Sequence, residues 1–377
     1  MTTSVAIIGL GIMGTRMMKH MRLHEEFSPD YLWDPNPNAC ENAIKLDRKS
    51  KIMKNANEAI ENADLVYLAC PPTVREIYAI KTVEMGKALF LEKPFGINIQ
   101  DSRNFIKKLQ NYDVPMAVNF TQAAGIALAD LLVSKNSGEM GDMLGVDIIV
   151  TYSSWPREWQ KEADWLRFKA EGGMTREVIS HFLFFSERVL GRLELKWAQT
   201  VYAKDDLLCE TDVLARLQTQ DGKCVNILAS VGGVQPDRQE MTIRGTKTSR
   251  RVSEFYKDFE SNGGEFLLLR NEPKNPRAVS LKAQLDHLFL NYSGDLNISN
   301  YIDSKFEAQV EKVTNDTYLK VFQNNLFDTP VMPNSQTTMN SNIQFYLEQE
   351  NQNLTTGIDV YENLGIKHSD RYQYTLP

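Results

Sequence analysis

The sequence predicts an α/β protein in two parts: a doubly wound parallel sheet, then an α+β domain with an open, mainly antiparallel sheet. Over the first 120 residues or so, short apolar runs alternate with helical stretches, as in parallel sheets built from right-handed crossovers. Beyond residue 125 the runs become longer, and several alternate polar with apolar residues. A glycine-rich turn, Gly9-Leu-Gly11-Ile-Met-Gly14, joins the first apolar run to the first helical stretch.

Length and composition set the size and class of the molecule. The chain has 377 residues, which corresponds to two domains at about 150 residues each. Hydrophobic residues make up 42% and charged residues 24%, enough apolar material for a sizeable core. The net charge is −7, so the chain has no general attraction to nucleic acid or to an anionic membrane surface.

The cysteines, histidines and apolar runs indicate where the protein resides. The four cysteines are widely spaced, which predicts reduced, buried thiols, and the five histidines show no zinc-binding spacing, so we expect no metal. No apolar run approaches the length of a membrane span, and the N-terminus lacks a basic leader. We therefore expect a soluble cytoplasmic protein.

The first domain is predicted over residues 1–121. Its strands are short and continuously apolar, as expected for strands covered on both faces. The predicted strands are Val5–Ile8, Tyr31–Trp33, Leu65–Ala69, Ala88–Leu91 and Met116–Phe120. The predicted helices are Ile12–Arg22, Asn55–Asn62, Val74–Met85 and Asp101–Leu109.

The second domain is predicted over residues 122–377 and begins with a helix near Gly125–Val133. Its predicted strands are Gly145–Tyr152, Leu195–Ala203, Thr211–Gln218, Cys224–Val231 and Gln239–Arg244. One long helix is inserted at Thr175–Leu190. The polar stretch from Pro273 to about Ser304 is predicted as an irregular loop or insertion, and a last helix is predicted near 336–351.

The glycine-rich turn predicts a dinucleotide site in a Rossmann domain. Gly9 would make the tight turn, Gly11 would let a pyrophosphate approach the backbone, and Gly14 would let helix and strand pack closely. The phosphates would lie at the helix N-terminus, beside Ile12 and Met13.

Asp34 ends the second predicted strand, twenty residues after Gly14. An acidic residue at this place would bind the hydroxyls of the adenosine ribose. The alternative is a turn residue before Pro35. Because a carboxylate repels a 2′-phosphate and no Arg or Lys follows closely, NAD is favoured over NADP.

A set of motifs in a fixed order resembles the Gfo/Idh/MocA family of NAD(P)-dependent oxidoreductases, named for glucose–fructose oxidoreductase and inositol dehydrogenase. The motifs cover most of the chain. They are the glycine-rich turn, Ala69-Cys70-Pro71-Pro72, Glu92-Lys93-Pro94, Gly138-Glu-Met-Gly141, Gly172-Gly173-Met-Thr-Arg-Glu177-Val-Ile-Ser-His181 and Asp328-Thr-Pro330-Val.

In the first domain, the resemblance assigns cofactor contacts to Cys70, Pro71, Glu92 and Lys93. Lys93 matches the family lysine near the nicotinamide and the reacting hydroxyl or carbonyl, where a group must take or donate the alcohol proton. Outside this motif, a lysine is ordinarily a surface residue. Cys70 is interpreted as a wall of the cofactor site, because no histidine lies nearby in sequence to activate its thiol.

In the second domain, His181 matches the family's active-site histidine. Glu177 falls four residues earlier, where the family usually carries aspartate, so both side chains would project from one helix face. The alternative is a solvated helix pair. The stripe Val178, Phe182, Phe185 and Val189 is the predicted buried side of this helix.

Departures from the family pattern surround the substrate. Besides Glu177, Ile179 stands where glycine is frequent, and Phe184 where an acidic residue is frequent. Where the family often has an arginine after the sixth strand, this chain has Asn119-Phe-Thr-Gln122, and both named residues are weak candidates for substrate contact.

Arg176, Arg167 and Trp165 are further weak candidates for substrate binding. Arginines can clamp a carboxylate or phosphate by paired hydrogen bonds, and Trp165 lies beside the same segment. The alternative for each of them is a salt bridge or core packing.

The resemblance implies reversible hydride transfer between NAD(H) and a secondary alcohol or ketone of a sugar, cyclitol or sugar derivative. Lys93 and His181 would share the proton transfer, and Glu177 would orient His181 or bind a substrate hydroxyl. Two alternatives stay open: NAD(P)H-dependent reduction of a C=N or conjugated C=C bond, as in imine or biliverdin reductases, and a non-catalytic nucleotide-bound regulator. The resemblance also implies a homodimer or homotetramer.

Overall fold

The computed structural model of the chain describes residues 2–96, 98–120, 125–161, 163–270 and 275–293. Two sequence predictions, the helix near 336–351 and the substrate contact of Gln122, lie outside these residues. The described Cα positions group into two units. One holds 2–96, 102–120, 125–138 and 275–293, and the other holds 98–101, 139–161 and 163–270. The predicted boundary at residue 121 stays a prediction, because this grouping does not test which segments fold independently.

The first unit contains a six-stranded parallel sheet in the order β3-β2-β1-β4-β5-β6. Its strands are β1 (Thr3–Ile8), β2 (Phe27–Trp33), β3 (Lys51–Ile52), β4 (Leu65–Leu68), β5 (Ala88–Glu92) and β6 (Met116–Asn119). The strand order reverses beside β1, and in such sheets ligands bind beyond the carboxyl ends of the strands at that point. The predicted parallel sheet is confirmed.

Helices flank this sheet, and most lie where the sequence predicts them. They are α1 (Ile12–Leu23), α2 (Pro37–Leu46), α3 (Ala56–Asn62), α4 (Pro72–Glu84), α5 (Ile99–Leu109) and α6 (Ile126–Asn136). The helix α2 and the two-residue strand β3 were not predicted from the sequence. A usable signal for α2 was present, since Pro37 stands at its start and the Asn36 side chain caps it by accepting from the Asn38 N–H at 3.0 Å.

The irregular structure predicted for the loop or insertion after Pro273 is wrong for most of its length, because the helix α8 (Pro276–Ser293) occupies it. Leu281, Leu285 and Leu288 follow helical spacing among polar residues and are almost completely buried in the core of the first unit. That core includes Met17, Met18 and Met21 of α1, so packing with α1 stabilises α8.

The second unit contains an eight-stranded sheet in the order β14-β13-β12-β11-β7-β10-β9-β8. Its strands are β7 (Met143–Tyr152), β8 (Glu194–Tyr202), β9 (Glu210–Gln218), β10 (Cys224–Val231), β11 (Arg238–Gly245), β12 (Ser249–Ser253), β13 (Lys257–Ser261) and β14 (Leu267–Leu268). Only β7 and β10 pair in parallel within this sheet, so the predicted mainly antiparallel sheet is confirmed. Strands β12 and β13 were not predicted because they are short and rich in charged residues, and β14 was not predicted because it has only two residues.

One face of this second sheet is buried and the other is open. In β9, Val213, Ala215 and Leu217 are buried while Leu214 between them is 43% exposed. The buried face carries α7 (Ser180–Leu190), whose Ser186 hydroxyl lies 3.7 Å from the sulfur of Met241 in β11.

Other findings concern the cysteines and the helices. All four cysteines are buried and free. Across the described ranges, no helix combines the length and apolar character needed to cross a membrane. The same residues contain no cluster of three or more His, Cys, Asp or Glu side chains placed to hold a metal ion.

Candidate functional site

Gly9 and Gly14 allow the turn between β1 and α1 to pack against its neighbours. Gly9 has a φ of +96°, and a Cβ there would lie 2.6 Å from the backbone nitrogen of Cys70. A Cβ on Gly14 would lie 1.8 Å from the carbonyl oxygen of Gly9. Both positions therefore require glycine for the backbone to close, as the sequence predicts for the turn and for helix–strand packing.

Gly11 differs from these two glycines, because nothing lies within 4 Å of where its Cβ would be. It is the N-cap residue of α1, and no side chain caps this helix end by a hydrogen bond. The first N–H groups of a helix, here those of Ile12 and Met13, have no acceptor within the helix and favour an anion. The open space at Gly11 and this uncapped helix end fit the pyrophosphate of a dinucleotide.

Asp34 is held rigidly beside this turn. Its Oδ2 accepts a hydrogen bond from the Leu10 N–H at 2.7 Å, and its Oδ1 accepts one from the Asn36 N–H at 2.8 Å. Each carboxylate oxygen has a second lone pair, so a ribose hydroxyl could still bind. Asp34 therefore makes the turn contacts that were the alternative interpretation of this residue. These contacts leave lone pairs for the predicted hydrogen bond to the ribose, which stays a prediction.

The carboxylate of Glu92 lies at the end of β5, directly before Lys93. It is buried, and it accepts hydrogen bonds from the Tyr67 hydroxyl at 2.6 Å and from the Asn119 amide at 2.7 Å. Burial raises the pKa of Glu92, although the Tyr67 hydrogen bond and the charge of Lys93 oppose the rise. Glu92 therefore organises the interior beneath the Lys93 turn, and the contact predicted between Glu92 and cofactor stays a prediction.

Arg75, which was not predicted from the sequence, connects the turn at Cys70 with the turn at Lys93, both assigned to the cofactor. This fully buried guanidinium donates through Nη2 to the Cys70 carbonyl at 2.7 Å and through Nη1 to the carbonyls of Glu92 and Pro94. It thus holds the backbone on both sides of Lys93. No sequence signal distinguished Arg75, since one arginine in a predicted helix is ordinarily exposed.

The surroundings of Cys70 are those of a wall residue. The side chain is buried, and burial raises the pKa of the thiol, with the Arg75 charge opposing that rise. A thiol with a raised pKa carries little thiolate and is a poor nucleophile. This supports the interpretation of Cys70 as part of a wall.

In the second unit, the predicted helix at Thr175–Leu190 begins with a π-helical turn, Thr175–Ile179, and continues as α7. The buried carboxylate of Glu210 accepts the Thr175 N–H at 2.6 Å, and the Gly173 carbonyl accepts the Glu177 N–H at 3.1 Å. Gly173 has a φ of +103°, and a Cβ there would lie 2.6 Å from Glu210 Oε2. π-helical turns within α-helices are frequent at functional sites.

Glu177 and His181 lie on this segment and are only 9% and 7% exposed. Because both side chains are buried, they are not the solvated pair on the helix surface that was the alternative interpretation. The predicted buried stripe of Val178, Phe182, Phe185 and Val189 is confirmed, with each at most 4% exposed. Side chains of this helix outside that stripe are buried as well.

The predicted substrate residues differ in their surroundings. Arg176 is 2% exposed and donates to the carbonyls of Lys169 at 2.7 Å and Gly172 at 2.9 Å. Its guanidinium thus holds the backbone of this segment in place. Arg167 is exposed and pairs with Asp164 at 2.9 Å. Trp165 is half-buried in the same short 3-10 helix, and Asn119 is buried against Glu92. Substrate contact by any of them stays a prediction.

Comparison with known proteins agrees with this geometry. Residues 3–120 match the family model of the Gfo/Idh/MocA oxidoreductases, described as an oxidoreductase family with an NAD-binding Rossmann fold. The resemblance read from the motifs and the predicted NAD-binding domain are thereby confirmed.

Individual relatives are distant. An uncharacterized oxidoreductase of Streptococcus pneumoniae is 25% identical over 173 residues, a match that spans 44% of this chain and 44% of that relative. An Agrobacterium radiobacter oxidoreductase, solved with NAD+, L-tartaric acid and magnesium, has a TM-score of 0.68 at 15% identity, over 78% of this chain and 90% of the other. A putative myo-inositol dehydrogenase of Sinorhizobium meliloti has a TM-score of 0.64 at 17% identity, over 85% and 94%.

Proposed function

We propose that this chain, whose residues 3–120 carry the NAD-binding domain of the Gfo/Idh/MocA oxidoreductases, transfers a hydride between NAD(H) and a secondary alcohol or ketone. The observation that carries the proposal lies at the carboxyl edge of the parallel sheet. There the uncapped start of α1, the fixed carboxylate of Asp34 and the Lys93 turn each follow the end of a strand. This is the edge at which open parallel sheets bind their ligands.

The binding of NAD is assigned to the first unit. The N–H groups of Ile12 and Met13 would hold the pyrophosphate, Gly11 would leave room for it, and Asp34 would accept hydrogen bonds from the ribose hydroxyls. NAD supplies the hydride acceptor, and in the reverse direction the donor. The negative charge of Asp34 favours NAD over NADP at this place.

Proton transfer is assigned to Lys93 and His181. When a hydride leaves an alcohol carbon, the hydroxyl proton must pass to a base, and the reverse reaction needs the corresponding acid. Arg75 fixes the backbone around Lys93, and the π-helical turn and α7 hold His181 in a buried position. Glu177 would orient His181 or accept a hydrogen bond from a substrate hydroxyl.

The proposed substrate is a sugar, cyclitol or sugar derivative. The support is by analogy: one protein of similar fold is a putative myo-inositol dehydrogenase, and another was solved with L-tartaric acid, which also carries secondary hydroxyls. Two partly exposed tryptophans of the second unit, Trp155 and Trp159, offer aromatic surface of the kind that sugar rings pack on.

A binding experiment tests the cofactor site first. Gly11→Ala should leave the thermal midpoint unchanged, because its Cβ meets open space, yet weaken NADH binding at least ten-fold by obstructing the pyrophosphate. Gly14→Ala should instead destabilise the fold, because its Cβ would overlap the Gly9 carbonyl. Unchanged NADH affinity in a folded Gly11→Ala protein would contradict the assigned site.

An absorbance screen for nicotinamide reduction tests the reaction. NAD and NADP would be offered with sugars, sugar phosphates, nucleotide sugars and inositols, with Lys93→Met as the variant and Lys45→Met, an exposed lysine on α2, as its control. Turnover with NAD that is lost only in Lys93→Met supports the proposal, and normal turnover in Lys93→Met refutes the role of Lys93. NADH binding without turnover on the whole panel would favour a reductase of C=N or C=C bonds, or a nucleotide-bound regulator.

The proposal includes a cytoplasmic homodimer or homotetramer that uses the open face of the second sheet. On that face Trp197, Leu214 and Leu228 are 53%, 43% and 48% exposed in three neighbouring strands, and Leu214 lies directly opposite Leu228. Apolar patches of this kind mark interfaces. Sedimentation analysis of the wild type and of Leu214→Asp tests it, and a monomeric wild type would contradict it.

A further inference from the structure

The turn between β12 and β13 has an unusual backbone. Glu254 and Phe255 have φ values of +53° and +67°, in the left-handed region that glycine, asparagine and aspartate occupy most readily. A bulky aromatic residue at such a φ is strained. Residues held in strained conformations persist only where their surroundings enforce them, and they cluster at functional sites.

The strained turn places the ring of Phe255 against α7. Its centroid lies 5.7 Å from the imidazole centroid of His181, with the two planes inclined by 67°. It lies 4.7 Å from the ring of Phe182, nearly parallel to it. The Phe255 ring thus packs on two consecutive residues of the helix that carries the proposed acid–base histidine.

Buried charges and backbone hydrogen bonds hold the hairpin that carries this turn. The guanidinium of Arg250 in β12 pairs with the carboxylate of Asp258 in β13, both almost completely buried, and Arg270 adds a contact to Asp258 at 3.3 Å. Next to the turn, the Glu254 N–H donates to the Gln239 carbonyl at 2.8 Å. These buried ion pairs and this hydrogen bond hold β12 and β13 in place. They therefore keep the backbone of the turn from relaxing out of its strained conformation.

We propose that Phe255 is a positioning residue for His181, and that the strained turn exists to hold its ring against the imidazole. A glycine at this position would close the same hairpin without strain at residue 255, but it would provide no ring. Contact with the aromatic ring limits the rotation of the imidazole and covers one side of it. The proposal rests on the proton-transfer role assigned to His181, and it adds a residue that neither the motifs nor the family match identifies.

Two glycine substitutions separate the ring from the strain. Phe255→Gly removes the ring together with the strain at residue 255, and it should fold because glycine adopts positive φ freely. Glu254→Gly is the matched control, since it relieves the strain at the neighbouring residue and leaves the ring in place. The expected result is a fall in kcat of about ten-fold or more in Phe255→Gly, with the KM for NAD within two-fold of wild type, and no change in Glu254→Gly.

Two further variants test whether the effect passes through His181. Phe255→Tyr retains the ring and should keep kcat close to that of the wild type. In a His181→Gln background, Phe255→Gly should cause less than a two-fold further loss, because the group that it positions is already absent. Full additivity of the two losses would overturn the proposal.

A spectroscopic measurement keeps the inference testable even if no substrate is found. In protein with 13C-labelled histidine, the imidazole signal of His181, assigned from its loss in His181→Gln, should shift and broaden in Phe255→Gly. It should stay as in the wild type in Glu254→Gly and Phe255→Tyr. An unchanged His181 signal in Phe255→Gly would overturn the positioning role, whereas absent turnover with an altered signal would instead count against the proposed function.

Discussion

The hydroxyl of Tyr67 donates a 2.6 Å hydrogen bond to the carboxylate of Glu92, across two neighbouring strands of the parallel sheet. Both side chains are buried, and the charged form of Glu92 is therefore poorly solvated. Burial accordingly raises the pKa of Glu92 above its usual 4.5, in spite of this hydrogen bond and of the nearby Lys93.

This raised pKa predicts how stability changes with pH. Above about pH 4.5 the unfolded chain releases the Glu92 proton while the folded protein still retains it, so stability falls as pH rises through the folded pKa. Glu92→Gln has no carboxyl group to titrate and does not show this loss. The free energy of unfolding of the variant, relative to that of the wild type, should therefore increase with pH by about 1.4 kcal/mol per unit by which the pKa is raised. Urea unfolding from pH 4 to 8 measures it, with the exposed Glu61→Gln as control. Parallel curves for wild type and Glu92→Gln would disprove it.

Asp34 predicts a cofactor-specific effect. Asp34→Asn removes the charge and allows only one amide oxygen to accept the two backbone N–H bonds, so NADH affinity should fall about ten-fold, corresponding to about 1.4 kcal/mol. Asp64→Asn is the matched control, because Asp64 also accepts a backbone N–H, that of Ser4 at 3.1 Å, before the start of β4. NADH fluorescence titration compares them. Equal losses in both variants would show that the effect of Asp34→Asn is on folding and not on the cofactor.

His24, at the end of α1, and Asp286, on α8, form a buried hydrogen bond within the first unit, with 3.0 Å between Nε2 and Oδ1. The Glu26 N–H donates to His24 Nδ1, so in the neutral ring the proton lies on Nε2 and is donated to Asp286. Lys282 adds two contacts to Asp286 at 2.9 Å. Burial would raise the pKa of Asp286, but hydrogen bonds from His24 and Lys282 hold it below its usual 3.8.

Asp286→Asn should therefore cost on the order of 3 kcal/mol in the free energy of unfolding at neutral pH. Because the folded pKa is lowered, the contribution of Asp286 is complete above about pH 3.8 and is lost as pH falls through the folded value. The free energies of unfolding of the variant and the wild type should thus become equal at low pH. Glu76→Gln, which removes the exposed Lys108–Glu76 pair, should cost less than about 1 kcal/mol. A difference for Asp286→Asn that persists unchanged at pH 2 would contradict this account.

Gly173 and Gly191 predict a contrast between strain and steric overlap. Both have positive φ, +103° and +89°, so alanine at either should cost about 1–2 kcal/mol. At Gly173 the added Cβ would also lie 2.6 Å from the buried Glu210 carboxylate, whereas at Gly191 it meets nothing within 4 Å. Gly173→Ala should therefore be the more destabilising by a further 1–3 kcal/mol or so in chemical denaturation. Equal costs would mean that Glu210 moves freely, contrary to its hydrogen bond with Thr175.

Local patterns in the sequence predicted most of the parallel sheet. Buried strands are continuously apolar, and the turn from Gly9 to Gly14 carries its own steric requirement, so both can be read from neighbouring residues. The helix α8 was not predicted although Leu281, Leu285 and Leu288 follow helical spacing, since the buried face that they form becomes evident only where they pack with α1. Arg75 and Phe255 were not predicted either, since their roles depend on contacts with other elements of the fold.

The sequence by itself determined most of the parallel sheet, the glycine-rich turn, the position of Asp34 and the resemblance to the family whose model matches residues 3–120, because these depend on short-range order and on motifs of fixed spacing. Only the tertiary structure decided that Glu177 and His181 are buried, that Glu92 lies in a hydrogen-bonded interior, and that Arg75 joins the two turns beside Lys93. The physical reason is that burial and hydrogen bonding belong to contacts between distant segments. A side chain's solvation is settled only when those segments have packed together.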